Sequence, residues 1–444
     1  MNFKIKKGKG VRGEITIPGD KSISHRSIMC ASLAEGPSKI YGFLEGDDCL
    51  ATMNAFKSMG INFEISEDEI LVHGSGLRGL KKPRNDINLG NSGTSVRLLT
   101  GILAAQDFSS TLIGDESLSS RPMNRIIEPL SMMGAKIKSN NSGNLPLEIN
   151  KSDSLQAIKY ELPIASAQIK SCILFAGLYS DGLTIVREKG ITRNHTEIMF
   201  KQFGVPLTVQ QTDKGRDIEM HSPSSLKSTE IDIPGDFSSA AFFILAALII
   251  PNSNLIIKNV GMNETRVALL TAFLEMCSEI NILTKKGEFE PRADLHVKFS
   301  KLKGINLDSN LVPNLIDELP AFFIAASRSS GLTIVRGAEE LRHKESDRLE
   351  AMGNVLQSLG VSFDMHEDGV DINGLDEQSD FTSLVDPIIN SFGDHRIAMS
   401  SAIACSLLDK NSSVLNTDNV NTSFPTFLKT SNQVGLDITL EENS

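Results

Sequence analysis

Short apolar runs of helical length alternate along this chain with brief period-two stretches, and the alternation recurs. Small-residue apolar runs such as Ile28-Met29-Cys30-Ala31-Ser32-Leu33-Ala34 and Ala402-Ile403-Ala404-Cys405-Ser406-Leu407-Leu408 predict buried helices. Each follows a cluster of Ser, Thr, Asp or Asn, the residue types that best cap a helix N-terminus. A Gly/Ser/Asn turn then leads to a strand, as at Leu183 to Arg187. A second helix ends at Met59-Gly60, Met133-Gly134, Phe203-Gly204 or Leu359-Gly360, where Gly tolerates the left-handed backbone of a helix C-terminus. Alternating strands, for example Ile61 to Ile65 and Ile70 to His73, close the unit. With the strand that precedes each polar cluster, the order is βαβαββ.

Two internal matches set the ruler for these units. Ile17-Pro18-Gly19-Asp20 recurs as Ile233-Pro234-Gly235-Asp236, and Gly182-Leu183-Thr184-Ile185-Val186-Arg187 recurs as Gly331-Leu332-Thr333-Ile334-Val335-Arg336. Six segments then align, starting near Asp20, Asn91, Ala165, Asp236, Asp317 and Gly393. Each covers roughly 70 to 80 residues, the size of one or two supersecondary units. A six-unit solenoid would need no special junction. The Pro-Gly-Asp match, separated by half the chain, instead marks two crossings near 18–20 and 233–236. The expectation is an α/β protein of two lobes, three units each: residues 19–234 in one, residues 1–18 with 235–444 in the other.

Composition narrows the function. Of 444 residues, 40% are hydrophobic and 22% charged, ordinary for a globular chain, and the length exceeds a single core. Lys+Arg 44 against Asp+Glu 55 gives 44 − 55 = −11. Such a chain is poorly suited to coat nucleic acid or anionic lipid, so neither is expected as a partner. Any anionic ligand must meet positive charge that is concentrated locally. The five cysteines (Cys30, Cys49, Cys172, Cys277, Cys405) lie far apart with no CxxC or Cys/His cluster, so neither zinc nor a disulfide framework is expected. Met1 to Gly10 is basic without an apolar stretch behind it, and the longest apolar run, Ala240 to Ile250, is too short for a bilayer. A cytoplasmic, soluble protein is expected.

Candidate chemistry collects where the first helix of each unit begins: Asp20-Lys21-Ser22-Ile23-Ser24-His25-Arg26, Asn91-Ser92-Gly93-Thr94-Ser95-Val96-Arg97, Ser166-Ala167-Gln168, Asp317-Glu318 and Asp394-His395-Arg396. A helix start offers unpaired N–H groups and a partial positive charge. If symmetry aims these starts from both lobes at one gap, Lys and Arg there make an anion site in an acidic protein. Taken singly, each cluster has a plainer explanation. Lys21, Ser22 and Arg26 could be a solvated cap, Arg121-Pro122 a loop stop, and His395 structural. Asp317 could be a cap, and Leu341 to Arg348 an exposed helix start whose Glu345–Arg348 pair contributes tenths of a kcal/mol. Their recurrence at equivalent repeat positions favours function. Gly74-Ser75-Gly76-Leu77-Arg78-Gly79 matches GxGxxG but runs into Lys81-Lys82-Pro83 rather than a helix, and there is no phosphate loop, HExxH or GxSxG. ATP, NAD and zinc are therefore not expected.

Over essentially the whole chain these motifs resemble the EPSP synthase (3-phosphoshikimate 1-carboxyvinyltransferase) family. The resemblance rests on Asp20-Lys21-Ser22 with Arg26, Leu89-Gly90-Asn91-Ser92-Gly93-Thr94, Gly114-Asp115 leading to Arg121-Pro122, Ser166-Ala167-Gln168, Arg342 to Arg348, and Gly393-Asp394-His395-Arg396. It implies the inside-out α/β barrel of the enolpyruvyl transferases, three βαβαββ units per lobe. It implies a monomer that joins shikimate 3-phosphate to phosphoenolpyruvate without a cofactor. By motif position Asp317 takes the 5-hydroxyl proton, Glu345 handles the proton at C3, and Lys21 neutralises phosphate between the substrates. Ser22, Arg26, Ser166, Ala167, Gln168, Arg193 and Lys344 would hold the shikimate phosphate or ring. Gly93 with Thr94, Arg121, Gln168, Arg348, His395 and Arg396 would line the phosphoenolpyruvate side.

Two departures from the best-known branch point to a second branch of the family. Ala167 stands where that branch has a second Ser, and in Thr422-Ser423-Phe424-Pro425 the residue Thr422 replaces a Lys. Thr192-Arg193-Asn194-His195-Thr196-Glu197 fits the second branch too. Gly93, rather than a larger residue, implies a site open to glyphosate in competition with phosphoenolpyruvate. The alternatives are the sister enolpyruvyl transferase acting on UDP-N-acetylglucosamine and a non-catalytic anion-binding homologue. The first commonly carries a Cys before its loop Arg-Pro, and Asp115 to Ser120 contains none. The second gives no reason to keep Asp317 and Glu345.

Overall fold

The computed structural model describes residues 1–287, 289–375 and 386–441. The chain divides into two compact units, Gly19–Ile233 and Met1–Pro18 with Pro234–Ser444. Each unit has its own hydrophobic core, built around three long helices that open the repeats. In Gly19–Ile233 these are α1 (Lys21–Leu33), α2 (Gly93–Leu103) and α3 (Ala167–Gly177); in the other unit they are α4 (Phe237–Ile249), α5 (Leu319–Ser327) and α6 (His395–Cys405). Every residue of α4 is buried, so this helix is apolar on all sides. At Gly101 of α2 a Cβ would sit 2.3 Å from the Cys172 carbonyl oxygen, so glycine is what lets α2 and α3 touch backbone to backbone.

The sheets lie outside these helices and follow one plan. A short entry strand runs parallel to its neighbour, and two more strands continue antiparallel. Ile87–Asn88 pairs parallel with Ser110–Ile113, which pairs antiparallel with Leu147–Asn150, followed by Lys136–Lys138. Lys159–Glu161 leads Leu183–Glu188, Gly215–His221 and Leu207–Thr212 in the same way. The entry strand of the first repeat comes from the far end of the unit: Glu230–Asp232 runs parallel to Ala34–Tyr41, with Ile231 opposite Ile40. The N-terminal residues complete the other unit. Arg12–Thr16 leads Asn254–Gly261 in parallel, and Phe3–Lys6 lies between Ser412–Leu415 and Asp437–Leu440, antiparallel to both. The α/β architecture of repeated βαβαββ units is therefore present, with edge strands exchanged between the ends of each unit's sequence. In the fifth repeat the entry segment reduces to bridges at Lys303–Ser330 and Asn306–Ile334.

The Pro-Gly-Asp junctions have a steric origin. A Cβ on Gly19 would fall 1.8 Å from the Gly42 carbonyl oxygen, and one on Gly235 would fall 3.0 Å from that of Asn259. The second helices end as the repeats predict, for example at Gly60 with φ 91 and Gly360 with φ 72. Five of the six repeat-opening helices carry a side-chain cap: Asp20, Ser92, Ser166, Asp236 and Asp394. The fifth does not. Glu318 occupies the cap position of α5 without a capping bond, a short helix Val312–Leu315 precedes it, and Pro320 fills the first turn, where no N–H is needed. The reading of Asp317 as a cap is thus corrected, and its carboxylate is engaged elsewhere. The element that follows Gly79 is the strand Ile87–Asn88 and not a helix, so the GxGxxG match lacks the strand–turn–helix setting of a dinucleotide loop.

Candidate active site

In Gly19–Ile233 the starts of α1, α2 and α3 are tied together by side chains. The Asp20 carboxylate accepts the Ile23 N–H at 2.9 Å, leaving Lys21, Ser22 and Arg26 on the first turns of α1. Lys21 forms an ion pair with Asp48, a residue of the helix Asp47–Ser58 that the motif reading did not single out. Arg26 is only 4% exposed, so it is no solvated surface charge. It donates to Ser22 O at 2.9 Å, Ser171 Oγ at 2.9 Å and Thr196 Oγ1 at 2.7 Å, linking α1 to α3 and to the helix His195–Gln202. Burial pulls its pKa down to about 10, with Glu197 and Asp20 acting upward and Arg193 downward. The guanidinium stays charged at neutral pH. His25 is held neutral by burial and by the charges of Lys21 and Arg26, and its Nδ1 lies 2.7 Å from Thr52 Oγ1.

The α2 start is built around a missing side chain. A Cβ on Gly93 would lie 2.8 Å from Arg97 Nη1 and 3.0 Å from Arg121 Nη1, so two cations crowd this Cα. Arg121 donates to Asn91 Oδ1 at 2.5 Å and Ser117 Oγ at 3.3 Å, while Arg97 donates to Gly93 O at 3.1 Å. Gln168 donates to Thr94 Oγ1 at 3.2 Å and joins the starts of α3 and α2. Ser166 caps α3 through the Ile169 N–H, and Ala167 is its first residue. Arg193 lies in the segment that leads into the helix His195–Gln202.

In the other unit, carboxylates share one guanidinium. Arg348 opens the helix Arg348–Ser358 and is 1% exposed. It donates from Nε to Asp394 Oδ2 at 2.8 Å, from Nη2 to Glu345 Oε2 at 2.5 Å and from Nη1 to Asp317 Oδ1 at 3.3 Å. Burial opposes its charge, and Asp394, Glu345 and Asp317 together more than offset this, raising its pKa. The Glu345–Arg348 contact is therefore one arm of a buried cluster and not a solvated surface pair, which corrects that reading. Asp394 also caps α6 through the N–H groups of Arg396 and Ile397. Arg396 returns to the Asp317 carbonyl at 2.9 Å and lies 3.8 Å from the buried Glu318. Glu318 in turn faces Arg266 at 3.7 Å and is bonded to Ser238 on α4. Lys344 is lowered by burial and by Arg348, against the upward pull of Asp317, Glu340 and Glu345. His395 is buried in the first turn of α6. Thr422 donates to Asn419 O at 2.7 Å, and Asn419 donates to Gly393 O at 2.5 Å, so the position supplies a backbone brace and no cation.

A family model for EPSP synthase (3-phosphoshikimate 1-carboxyvinyltransferase) matches residues 5–430. The chain belongs to this family. A 3-phosphoshikimate 1-carboxyvinyltransferase of Hydrogenovibrio crunogenus is 45% identical over 447 residues, covering 100% of this chain and 99% of that protein. One of Legionella pneumophila (strain Lens) is 47% identical over 441 residues, covering 99% of each. The solved EPSP synthase of Acinetobacter baumannii superposes with TM-score 0.87 at 42% identity over 99% of this chain and 100% of that one. The enolpyruvyl transferase NikO of Streptomyces tendae, at TM-score 0.79 and 13% identity over 99% of this chain and 98% of its own, shares the fold.

Among the EPSP synthase motif residues, the structure assembles Gly93, Thr94, Arg121 and Gln168 around the α2 start, and it links Arg26 both to the Ser22 carbonyl and to Ser171 on α3. It assembles Asp317, Lys344, Glu345, Arg348 and Arg396 as one electrostatic cluster. Asp48 pairs with Lys21, Glu318 lies 3.8 Å from Arg396 and 3.7 Å from Arg266, and Lys170 pairs with Glu188 and Glu197; none of these had been given a specific role. Glu318 stands next to Asp317 in sequence, yet nothing local marks it as buried. Asp48, in the first turn of a helix, looks like an ordinary dipole partner.

Proposed function

We propose that this chain transfers the enolpyruvyl group of phosphoenolpyruvate to the 5-hydroxyl of shikimate 3-phosphate, releasing inorganic phosphate, in the shikimate route to aromatic amino acids. It acts as a cytoplasmic monomer. The observation that carries this reading is a division of labour within a member of the family. In one unit the first two turns of α1 and α2, with Arg121 brought beside Gly93, supply the cations Lys21, Arg26, Arg97 and Arg121, and in the other two carboxylates sit on one buried guanidinium. The first suits two highly charged anions. The second suits proton transfer.

The 5-hydroxyl oxygen attacks C2 of phosphoenolpyruvate and gives its proton to Asp317, while Glu345 delivers a proton to C3. The tetrahedral adduct then returns a C3 proton to Glu345 and expels phosphate, which leaves with the proton that Asp317 had taken. Ser22, Arg26, Ser166, Ala167, Gln168, Arg193 and Lys344 hold the shikimate phosphate and ring; Gly93, Thr94, Arg121, Arg348, His395 and Arg396 face phosphoenolpyruvate, and Lys21 neutralises phosphate charge. A ligand anion reaching Arg348 competes with Glu345 for Nη2, so substrate binding itself releases Glu345 for proton transfer. Backbone N–H groups of α3 serve where the other branch has a second Ser hydroxyl. Phosphate release from phosphoenolpyruvate should depend on shikimate 3-phosphate with no metal added. Release supported by UDP-N-acetylglucosamine instead would establish the sister activity, and shikimate 3-phosphate binding without any release would establish the non-catalytic homologue.

A further inference from the structure

A lysine in the middle of an apolar helix core is expensive unless its charge is met. Lys170, one turn into α3, is 0% exposed. Its Nζ lies 3.0 Å from Glu188 Oε2 and 2.6 Å from Glu197 Oε1, both also buried. Glu188 ends the strand Leu183–Glu188, and Glu197 lies in the first turn of the helix His195–Gln202. Between them runs the segment that carries Arg193. Glu188 also accepts from Thr192 Oγ1 at 2.7 Å and from Thr192 N at 3.3 Å, so the residue preceding Arg193 is fastened to the same carboxylate. On the other side, Thr196 and Ser171, each adjacent in sequence to a member of this cluster, bond to one another at 2.7 Å and receive Arg26.

We propose that Lys170, Glu188 and Glu197 are positioning residues of the phosphate site, clamping the 189–194 segment and the start of the next helix onto α3 so that Arg193 and Arg26 present their guanidinium groups in fixed relation to Ser166 and Gln168. None of the three touches substrate. Their buried charges act by geometry: the ammonium sits at the junction of one strand end, one helix start and α3, so it ties both ends of the intervening segment to that helix. This rests on the reading above that Arg26, Ser166 and Arg193 hold the phosphate of shikimate 3-phosphate.

Two variants of the full chain test it. Lys170→Met keeps the stem and removes the charge; Lys170→Met/Glu188→Gln/Glu197→Gln also neutralises the carboxylates it would strand. In both, the Kd and KM for shikimate 3-phosphate should rise about tenfold, with kcat and the KM for phosphoenolpyruvate within about twofold of the parent. Arg193→Ala should cost about tenfold less binding in the Lys170→Met background than in the parent, because its guanidinium is already misplaced. A merely structural role would lower Tm but leave the shikimate 3-phosphate KM of folded enzyme and the Arg193→Ala effect unchanged, and that result would overturn the proposal. Thr192→Val provides the same readouts if neither charge variant folds. Should the parent release no phosphate from phosphoenolpyruvate, the functional reading fails. The clamp is then judged by inorganic phosphate binding, where Arg193 and Lys170 effects that simply add would refute it.

Discussion

Gly93→Ala separates stability from function at one Cβ. The new methyl would start 2.8 Å from Arg97 Nη1 and 3.0 Å from Arg121 Nη1, whereas relaxed contacts need about 3.4 Å or more. Both guanidinium groups are side-chain ends, so they give way by roughly half an ångström and the backbone stays in place. Gly93 opens α2 behind the Ser92 cap, where Ala adopts the backbone without strain and removes about 0.4 to 1 kcal/mol of unfolded-state freedom, which offsets the cost of moving the two guanidinium groups, so folding should change by less than about 1 kcal/mol. Ligand binding should lose. A hydrogen bond to a charged group contributes about 1.5 to 3 kcal/mol, and displacing Arg121 from an anion forfeits about half of that. Roughly 1.4 kcal/mol corresponds to a tenfold rise in the KM for phosphoenolpyruvate. Glyphosate, expected to compete with phosphoenolpyruvate, should weaken at least as much, while the KM for shikimate 3-phosphate changes little. Steady-state kinetics with both substrates and a thermal melt supply every quantity. A loss of stability above about 2 kcal/mol, which would mean that the backbone and not the side-chain ends gave way, or equal losses for both substrates, would refute the steric argument.

Asp317→Ala should cut kcat by at least about a hundredfold while the calorimetric Kd for shikimate 3-phosphate moves less than about threefold; equal losses would make Asp317 a binding group. The repeated Arg187 and Arg336 each grip a carboxylate on a neighbouring strand, at 2.6 Å for both Arg187–Asp217 bonds and at 2.6 and 3.1 Å for Arg336–Asp371. Asp217 is held below its ordinary pKa by its bond to Arg187, so its contribution to stability is complete above about pH 4 and fades as pH falls through the lowered value. Asp217→Asn should cost about 2 kcal/mol at pH 7 in urea denaturation and progressively less as pH falls below about 4. Asp371→Asn, at a pair with side-chain exposures of 35% and 20% against 15% and 7%, should cost under about 1 kcal/mol. Equal costs would remove burial as the reason for the difference.

The repeat was legible because it is written in local currency. Helix starts are marked by capping residues, helix ends by glycine, and strands by alternation, and all are short-range. That the fifth start lacks a cap was not legible, because Asp317 has the right residue type for one, and only the preceding turn and Pro320 show that α5 begins without it. Glu345 and Arg348 looked like a surface pair because i,i+3 spacing is common on exposed helices. In the structure Arg348 is buried and its main partner is Asp394, far along the chain. Lys170 gave no signal: in an apolar helix a lysine reads as a solvent-facing position, and its partners come from a strand end and another helix.

The amino-acid sequence alone determined the architecture's unit, the two Pro-Gly-Asp junctions and the chemical character of the helix starts, since each depends on residues within a few positions of one another. Tertiary structure decided which strand completes which sheet, placing Phe3–Lys6 between strands near the C-terminus. It also decided which charges are buried and therefore paired. A buried charge survives only where distant segments bring its counterion, and no local pattern records which segment that will be.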